Sequence, residues 1–120
     1  MRITGGRLST TLFVRSGLLE TVGARTGRPR QNAVIYFHDG DRVTIVASKA
    51  GSPGHPSWYF NLKAHPDVKF AGTPMRATVV ENEADRERLW VLADNVFPAF
   101  ATYRRDASKA NRIIPIIQLS

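Results

Sequence analysis

The chain has 120 residues, 42% of them hydrophobic, and carries 17 basic against 10 acidic side chains for a net charge of +7. This length supports one domain with a real core, no run approaches the ~18 apolar residues of a membrane span, and the positive balance favours an anionic partner. The absence of cysteine excludes disulfides and thiolate metal sites, and Leu12–Val14 is too short for a signal-peptide core, so a cytoplasmic protein is expected.

Residues 1–17 read as a short N-terminal segment. Gly5, Gly6 and Gly17 interrupt any long helix, while Leu8, Leu12, Phe13 and Val14 can make a short apolar face. From residue 18 to residue 120 the pattern is mainly β. Strand-like runs occupy Leu18–Val22 and Gln31–His38, and Val43–Ala47 is equally rich in β-branched residues. Asp39-Gly40 between the last two is a tight-hairpin signal. Pro56 suits a first helical turn, and Trp58, Tyr59 and Leu62 give the following helix an apolar stripe that ends near His65-Pro66.

Asp67–Ala71 and Met75–Glu81 read as a further strand pair joined through Gly72-Thr73-Pro74. A longer helix is expected over Ala84–Val96. Leu89, Leu92, Ala93 and Val96 share one face of it, and Glu83, Asp85 and Glu87 lie near its positive end. Phe97-Pro98 redirects the chain, Ala99–Arg105 adds another turn of helix, and Ile113–Leu119 is a last strand in which Pro115 belongs at an edge or bulge. Five or six strands with few helices suggest a small barrel or sandwich plugged by helices. Strands and helices do not alternate regularly, which argues against a Rossmann-type sheet.

The most informative segment is Gly23–Arg30. It places two glycines, Thr26, and Arg25, Arg28 and Arg30 on one short turn. Guanidinium groups fork onto phosphate or carboxylate oxygens, so the turn is either an anion site or a solvated basic hairpin. Residues 104–112 hold a second basic group, Arg104, Arg105, Lys109 and Arg112. The two groups either meet around one anion or form separate surfaces. The small-residue loop Ala47–Gly54 carries Ser48 and Lys49 directly after a strand, either towards a ligand or as a plain connection; the P-loop spacing is absent.

His38, His55 and His65 lack metal-site spacing. His38 reads as a hairpin residue and His65 as a helix-end residue. Trp58, Tyr59 and Trp90 read as core. Phe97, Phe100 and Tyr103 recur at i, i+3 and i+6, as a cap over a planar ligand or as ordinary packing. A nucleic-acid-binding barrel rests on charge alone, since the aromatic RNA-binding signature is absent.

Taken together, these segments resemble the deazaflavin-dependent nitroreductase family, a branch of the split β-barrel flavin and deazaflavin oxidoreductases. The resemblance runs from about Leu18 to Leu119. It is carried by Gly23–Arg30, the Asp39-Gly40 hairpin, Ala47–Gly51, Pro56–Leu62 with Ala64–Pro66, and Arg112–Ile117. It implies a split β-barrel that uses reduced coenzyme F(420), with FMN or another flavin or haem as the alternative ligand. It implies that Arg25, Thr26, Gly27, Arg28 and Arg30 hold the cofactor's phosphodiester and glutamate tail, that Ser48 and Lys49 lie along it, and that Trp58 and Asn61 support the site. Ser48 and Tyr103 are the implied catalytic residues, Phe100 and Tyr103 the acceptor pocket, and no metal is implied. The implied acceptor is a small quinone-like or nitro compound.

Three departures stand out. Ala24 replaces an arginine frequent in the family. Phe100 replaces a tyrosine common in nitro-reducing members. The N-terminal segment has little of the amphipathic helix that some members use near membranes, so membrane contact is expected to be weak.

Overall fold

The computed structural model describes residues 15–120; the apolar face expected within Leu8–Val14 lies outside them. The elements are β1 (Ser16–Val22), β2 (Pro29–Asp39), β3 (Arg42–Val46), a 3-10 turn at Lys49–Gly51, α1 (Ser57–Ala64), β4 (Asp67–Phe70), β5 (Thr73–Val79), α2 (Glu83–Val96), α3 (Ala99–Ser108) and β6 (Ile116–Leu119). The six strands close into an antiparallel barrel in the order β1-β2-β3-β6-β5-β4, a split-barrel fold.

Two strands belong to both halves of the barrel. β2 pairs through Pro29–Ile35 with β1 and through Tyr36–Asp39 with β3. β5 pairs through Thr73–Arg76 with β4 and through Ala77–Val79 with β6. Closure rests on the short β1–β4 ladder, Leu19 opposite Phe70 and Glu20 opposite Lys69. Gly17 permits that approach, because a Cβ there would stand 2.4 Å from the Phe70 ring.

Strand alternation sorts the apolar residues into two cores. Leu19, Ile45, Ile117 and Leu119 are fully buried inside the barrel, where Trp58, Tyr59 and Leu62 of α1 plug them. Val46 and Ile116 point outward and are covered, with Phe37, by Leu89, Trp90 and Ala93 of α2 and Phe100 and Ala107 of α3. Each such large side chain contributes roughly 1.5–3 kcal/mol when buried. Because both faces are covered, all four residues of β6 are buried.

The structure moves several expected boundaries. β1 begins at Ser16, ahead of Leu18. The β4–β5 turn is Ala71-Gly72, at φ 50° and 82°, the positive pair a two-residue hairpin favours. Thr73 and Pro74 therefore belong to β5, and Pro74 sits beyond the residues that pair with β6, where no amide donor is required. β6 starts only at Ile116: Pro115 precedes it and accepts the Ala47 N–H at 3.0 Å, and Ile113 is exposed. α2 starts at Glu83 because the Asn82 side chain accepts the Asp85 N–H at 2.9 Å, an N-cap worth about 1 kcal/mol. α3 runs on to Ser108, past Arg105.

Candidate active site

The Gly23–Arg30 segment is the β1–β2 turn. It is internally tied: the Gly23 N–H donates to the Arg28 carbonyl at 2.8 Å and the Gly27 N–H to the Gly23 carbonyl at 2.9 Å. Gly27 stands at φ 70°, a conformation natural to glycine. Thr26 Oγ1 accepts the Arg28 N–H at 3.2 Å. From α1, Asn61 Oδ1 accepts the Ala24 N–H at 2.9 Å while its Nδ2 donates to Thr21 Oγ1 at 3.3 Å. Asn61 thus fastens the turn to the barrel plug. Among the described residues no carboxylate stands within ion-pair distance of Arg25, Arg28 or Arg30, and all three are exposed.

The turn forms one end of a cleft. Gly23, Ala24, Arg25, Thr26, Arg30 and Asn61 line a cavity of about 790 Å³. A neighbouring cavity of about 600 Å³ is lined by Ser48, Lys49, His55, Trp58 and Phe100, with Val34, Ile35 and Val46 among its apolar walls. Asn32, Ser57 and Phe60 line both, so the two adjoin. One end offers unpaired guanidinium groups and the other an aromatic and aliphatic wall with a hydroxyl and an ammonium group.

The expected residues do not all meet there. Arg25, Thr26, Arg30 and Asn61 line the cationic end, and Ser48, Lys49, Trp58 and Phe100 the apolar end. Gly27 and Arg28 belong to the turn but not to the lining. Tyr103 lines neither cavity; its ring packs 6.0 Å from Phe97 and 6.4 Å from Phe100. Phe60, half exposed at the junction, and Ser57 lie within the Pro56–Leu62 segment but were not singled out as site residues, and Asn32 carried no signal at all. His55 and Arg112 were also missed as site residues. Arg112 Nε donates to His55 Nδ1 at 2.8 Å, and its Nη1 to the carbonyls of Ser48 at 2.9 Å and Ser52 at 2.8 Å.

The two basic groups of the sequence do not converge. Arg104 forks onto Asp94 at 2.7 and 2.8 Å and lies over the Trp90 ring at 4.1 Å. Lys109 pairs with Asp106 at 3.7 Å. Arg112 is buried under the 47–55 loop. Of the two arrangements the sequence left open, separate surfaces fit better: Arg104, Lys109 and Arg112 are engaged within the fold, and Arg105 is exposed with a 3.4 Å bond to Thr102 Oγ1. Among the described residues no cluster of three or more His, Cys, Asp or Glu side chains is placed for a metal, and no helix is long and apolar enough to cross a membrane.

Residues 1–120 match the F(420)H(2)-dependent quinone reductase family. The chain belongs to that family. An F(420)H(2)-dependent quinone reductase of Mycobacterium tuberculosis H37Rv is 39% identical over 109 residues, covering 86% of this chain and 71% of the relative. A solved F(420)H(2)-dependent reductase superposes with a TM-score of 0.74 at 34% identity, covering 88% of this chain and 93% of the other. A chain solved as a domain-swapped dimer gives a TM-score of 0.75, also at 34% identity, over 88% of this chain and 79% of that one. The family's chemistry is hydride transfer from reduced F(420) to a quinone, so this reductase uses F(420) as its cofactor. The cleft fits such a group, which carries a phosphodiester and a glutamate tail: its cationic end has unpaired guanidinium groups, and its other end has aromatic and aliphatic side chains against which a ring system can pack.

Proposed function

We propose that the two adjoining cavities act as one cleft, the F(420) site of this reductase, with the anionic tail on the β1–β2 turn and the ring in the cavity of Ser48, Lys49, Trp58 and Phe100. The observation that carries this reading is the shared wall of Asn32, Ser57 and Phe60 between two cavities of opposite character. When bound, reduced F(420) supplies the hydride; the protein supplies binding, orientation and the exclusion of competing reactions. Arg25 and Arg30 bind anionic oxygens through charge-assisted hydrogen bonds, and Arg28 adds to the local field from outside the lining. Asn61 holds Ala24 and so fixes where the turn presents its arginines. Ser48 and Lys49 bring proton-bearing groups to the ring end. Tyr103 acts on that end by packing Phe100 into the wall.

The acceptor under this reading is a flat quinone. Phe100 keeps an apolar surface where a tyrosine would offer a hydroxyl, and a site lacking a hydrogen-bond partner discriminates against substrates that need one. Phe100→Tyr should therefore raise turnover of a nitroimidazole relative to menadione in steady-state assays; an unchanged ratio makes Phe100 packing alone. Under this reading the enzyme works in the cytoplasm and meets its quinone there. The cleft assignment is tested by titrating F(420) and FMN side by side into wild type, Arg30→Ala and Lys49→Ala. Weaker F(420) binding in both variants, with FMN weak throughout, supports it. Affinities unchanged by both substitutions overturn it.

A further inference from the structure

The loop that presents Ser48 and Lys49 is held in an unfavourable backbone conformation. Lys49, Ala50 and Gly51 stand consecutively at φ 47°, 52° and 76°, the left-handed region that residues with a Cβ occupy at a cost. Gly51 is confined further by α3, since a Cβ there would come within 2.9 Å of the Tyr103 carbonyl oxygen. Such a run persists only where its surroundings hold it. Two backbone bonds close it, Gly51 N–H to the Ser48 carbonyl at 3.0 Å and Ser52 N–H to the Lys49 carbonyl at 3.1 Å. One side chain brackets it: Arg112 Nη1 donates to the carbonyls of Ser48 and Ser52, on either side of the three residues. Nη2 donates to the Ala47 carbonyl and Nε to His55 Nδ1.

Arg112 is buried, yet among the described residues it forms no ion pair. Burial disfavours its charge, lowering its pKa from the ordinary value. A guanidinium kept there without a counter-ion is explained by what its planar fork holds, since the three donors of a lysine share one nitrogen and cannot span these four acceptors. Its hold extends to His55. With Nδ1 accepting, the single proton of a neutral imidazole sits on Nε2. Burial first, then the neighbouring charges of Arg112 and Lys63, lower the His55 pKa. The ring packs 4.8 Å from Tyr59 and 5.9 Å from Phe60 and lines the apolar end of the cleft.

We propose that Arg112, which lies outside the cleft, is a positioning residue for the reaction: it clamps the left-handed run that presents Ser48 and Lys49 and holds His55 as a neutral Nε2–H donor to the cleft. The inference rests on the cleft being the F(420) site. It adds His55 to the groups that meet the ligand and separates them from the residue that aims them. Arg112 acts on both through one planar group, so removing it displaces Ser48, Lys49 and His55 together.

The test combines ring-nitrogen NMR of histidine-labelled wild type with F(420) titration and steady-state quinone reduction by Arg112→Lys, Lys49→Ala and their double variant; Arg15→Ala is the control. Wild-type His55 should carry one ring proton, on Nε2, at roughly pH 7 to 8, above the ordinary imidazole range. Arg112→Lys should remain folded by circular dichroism, raise the F(420) dissociation constant about 10-fold, a size expected for lost charge-assisted hydrogen bonds, and lower kcat. Adding Lys49→Ala to Arg112→Lys should then cost much less than it costs wild type, because the ammonium group is already misplaced. Additive losses would make Arg112 a fold staple and overturn the proposal, as would wild-type affinity and kcat in folded Arg112→Lys. If Arg112→Lys does not fold, the wild-type spectra decide, and a His55 protonated on Nδ1 overturns it. If Lys49→Ala and Arg30→Ala both bind F(420) as wild type does, the cleft reading itself fails and this inference with it. If they weaken binding and folded Arg112→Lys does not, only the inference fails.

Discussion

The β1–β2 turn and the segment from α3 to β6 are both rich in cations, and the fold treats them in opposite ways. Arg25, Arg28 and Arg30 are exposed and have no carboxylate partner among the described residues. In the second region Arg105 alone stays exposed without an ion pair among the described residues, while Arg104, Lys109 and Arg112 are each engaged by the protein itself, through a bidentate pair, a one-turn ion pair and a set of backbone carbonyls. The same residue type thus serves ligand binding in one place and internal architecture in the other. What separates the two is whether a partner lies within reach in the fold. Net charge does not separate them.

That contrast is open to attack by substitution. The largest expected effect is on stability at Arg112. Arg112→Met leaves the carbonyls of Ala47, Ser48 and Ser52 and His55 Nδ1 without their donor, and hydrogen bonds to charged groups are worth roughly 1.5–3 kcal/mol each. Because the substitution also removes a desolvated charge, which offsets part of that sum, a net loss of about 3 kcal/mol is expected by urea denaturation, while Arg30→Met should stay near wild type. Equal stabilities would erase the distinction between the two regions.

Arg30→Ala is the converse experiment. It should weaken F(420) binding about 10-fold, one charge-assisted bond's worth, and leave the unfolding midpoint unchanged. Arg15→Ala should bind as wild type; if both variants weaken equally, a diffuse field rather than the turn provides the affinity, and added salt should then remove the difference.

Arg104→Lys probes the engaged class more gently. It keeps the charge near Asp94 but loses the bidentate fork and the stacking on Trp90. A destabilisation of about 1 kcal/mol is expected, with F(420) affinity unmoved.

The smallest effect concerns Asp39, where α2 meets the β2–β3 hairpin. Arg88 forks onto this carboxylate at 2.9 and 3.1 Å and Gln118 donates to it at 2.8 Å, which lowers its pKa to about 2. A depressed carboxylate pKa contributes stability that is fully present above the unfolded value, near 4, and is lost as pH falls through the folded value. Stability should decline between about pH 4 and pH 2, and Asp39→Asn should flatten that decline by about 1 kcal/mol, the pair being partly screened by solvent.

Much of the barrel was legible because its strands obey local rules. Runs rich in β-branched and aromatic residues marked β2 and β3, a strand-like run marked β1, Asp39-Gly40 marked the β2–β3 hairpin, and the Trp58, Tyr59, Leu62 stripe marked the plug. The errors have local causes too. Ala71 adopts a positive φ that its side chain does not advertise, which hid the β4–β5 turn. Ile113 and Ile114 look like strand residues, but the proline after them delays pairing to Ile116. In the site, the Gly23–Arg30 turn and the Ser48-Lys49 loop were readable from residue type and spacing. Arg112 was not, because in sequence it is one more cation in a basic stretch. Its function depends on carbonyls some sixty residues away, and no periodicity reports a contact of that separation. Phe60 was hidden for a related reason: helical spacing turns it away from the barrel core, and only the fold reveals that this outward face borders the cleft.

The central claim is that the exposed turn and the apolar cavity are two ends of one F(420) cleft. It is tested most directly by titrating wild type and Arg30→Ala with intact F(420) and with the same deazaflavin stripped of its phosphodiester and glutamates. Intact F(420) should bind wild type at least about 10-fold more tightly than the stripped form does. Arg30→Ala should weaken the intact ligand while leaving the stripped one unchanged. Equal sensitivity of the two ligands to Arg30→Ala, or equal affinities in wild type, would contradict the account.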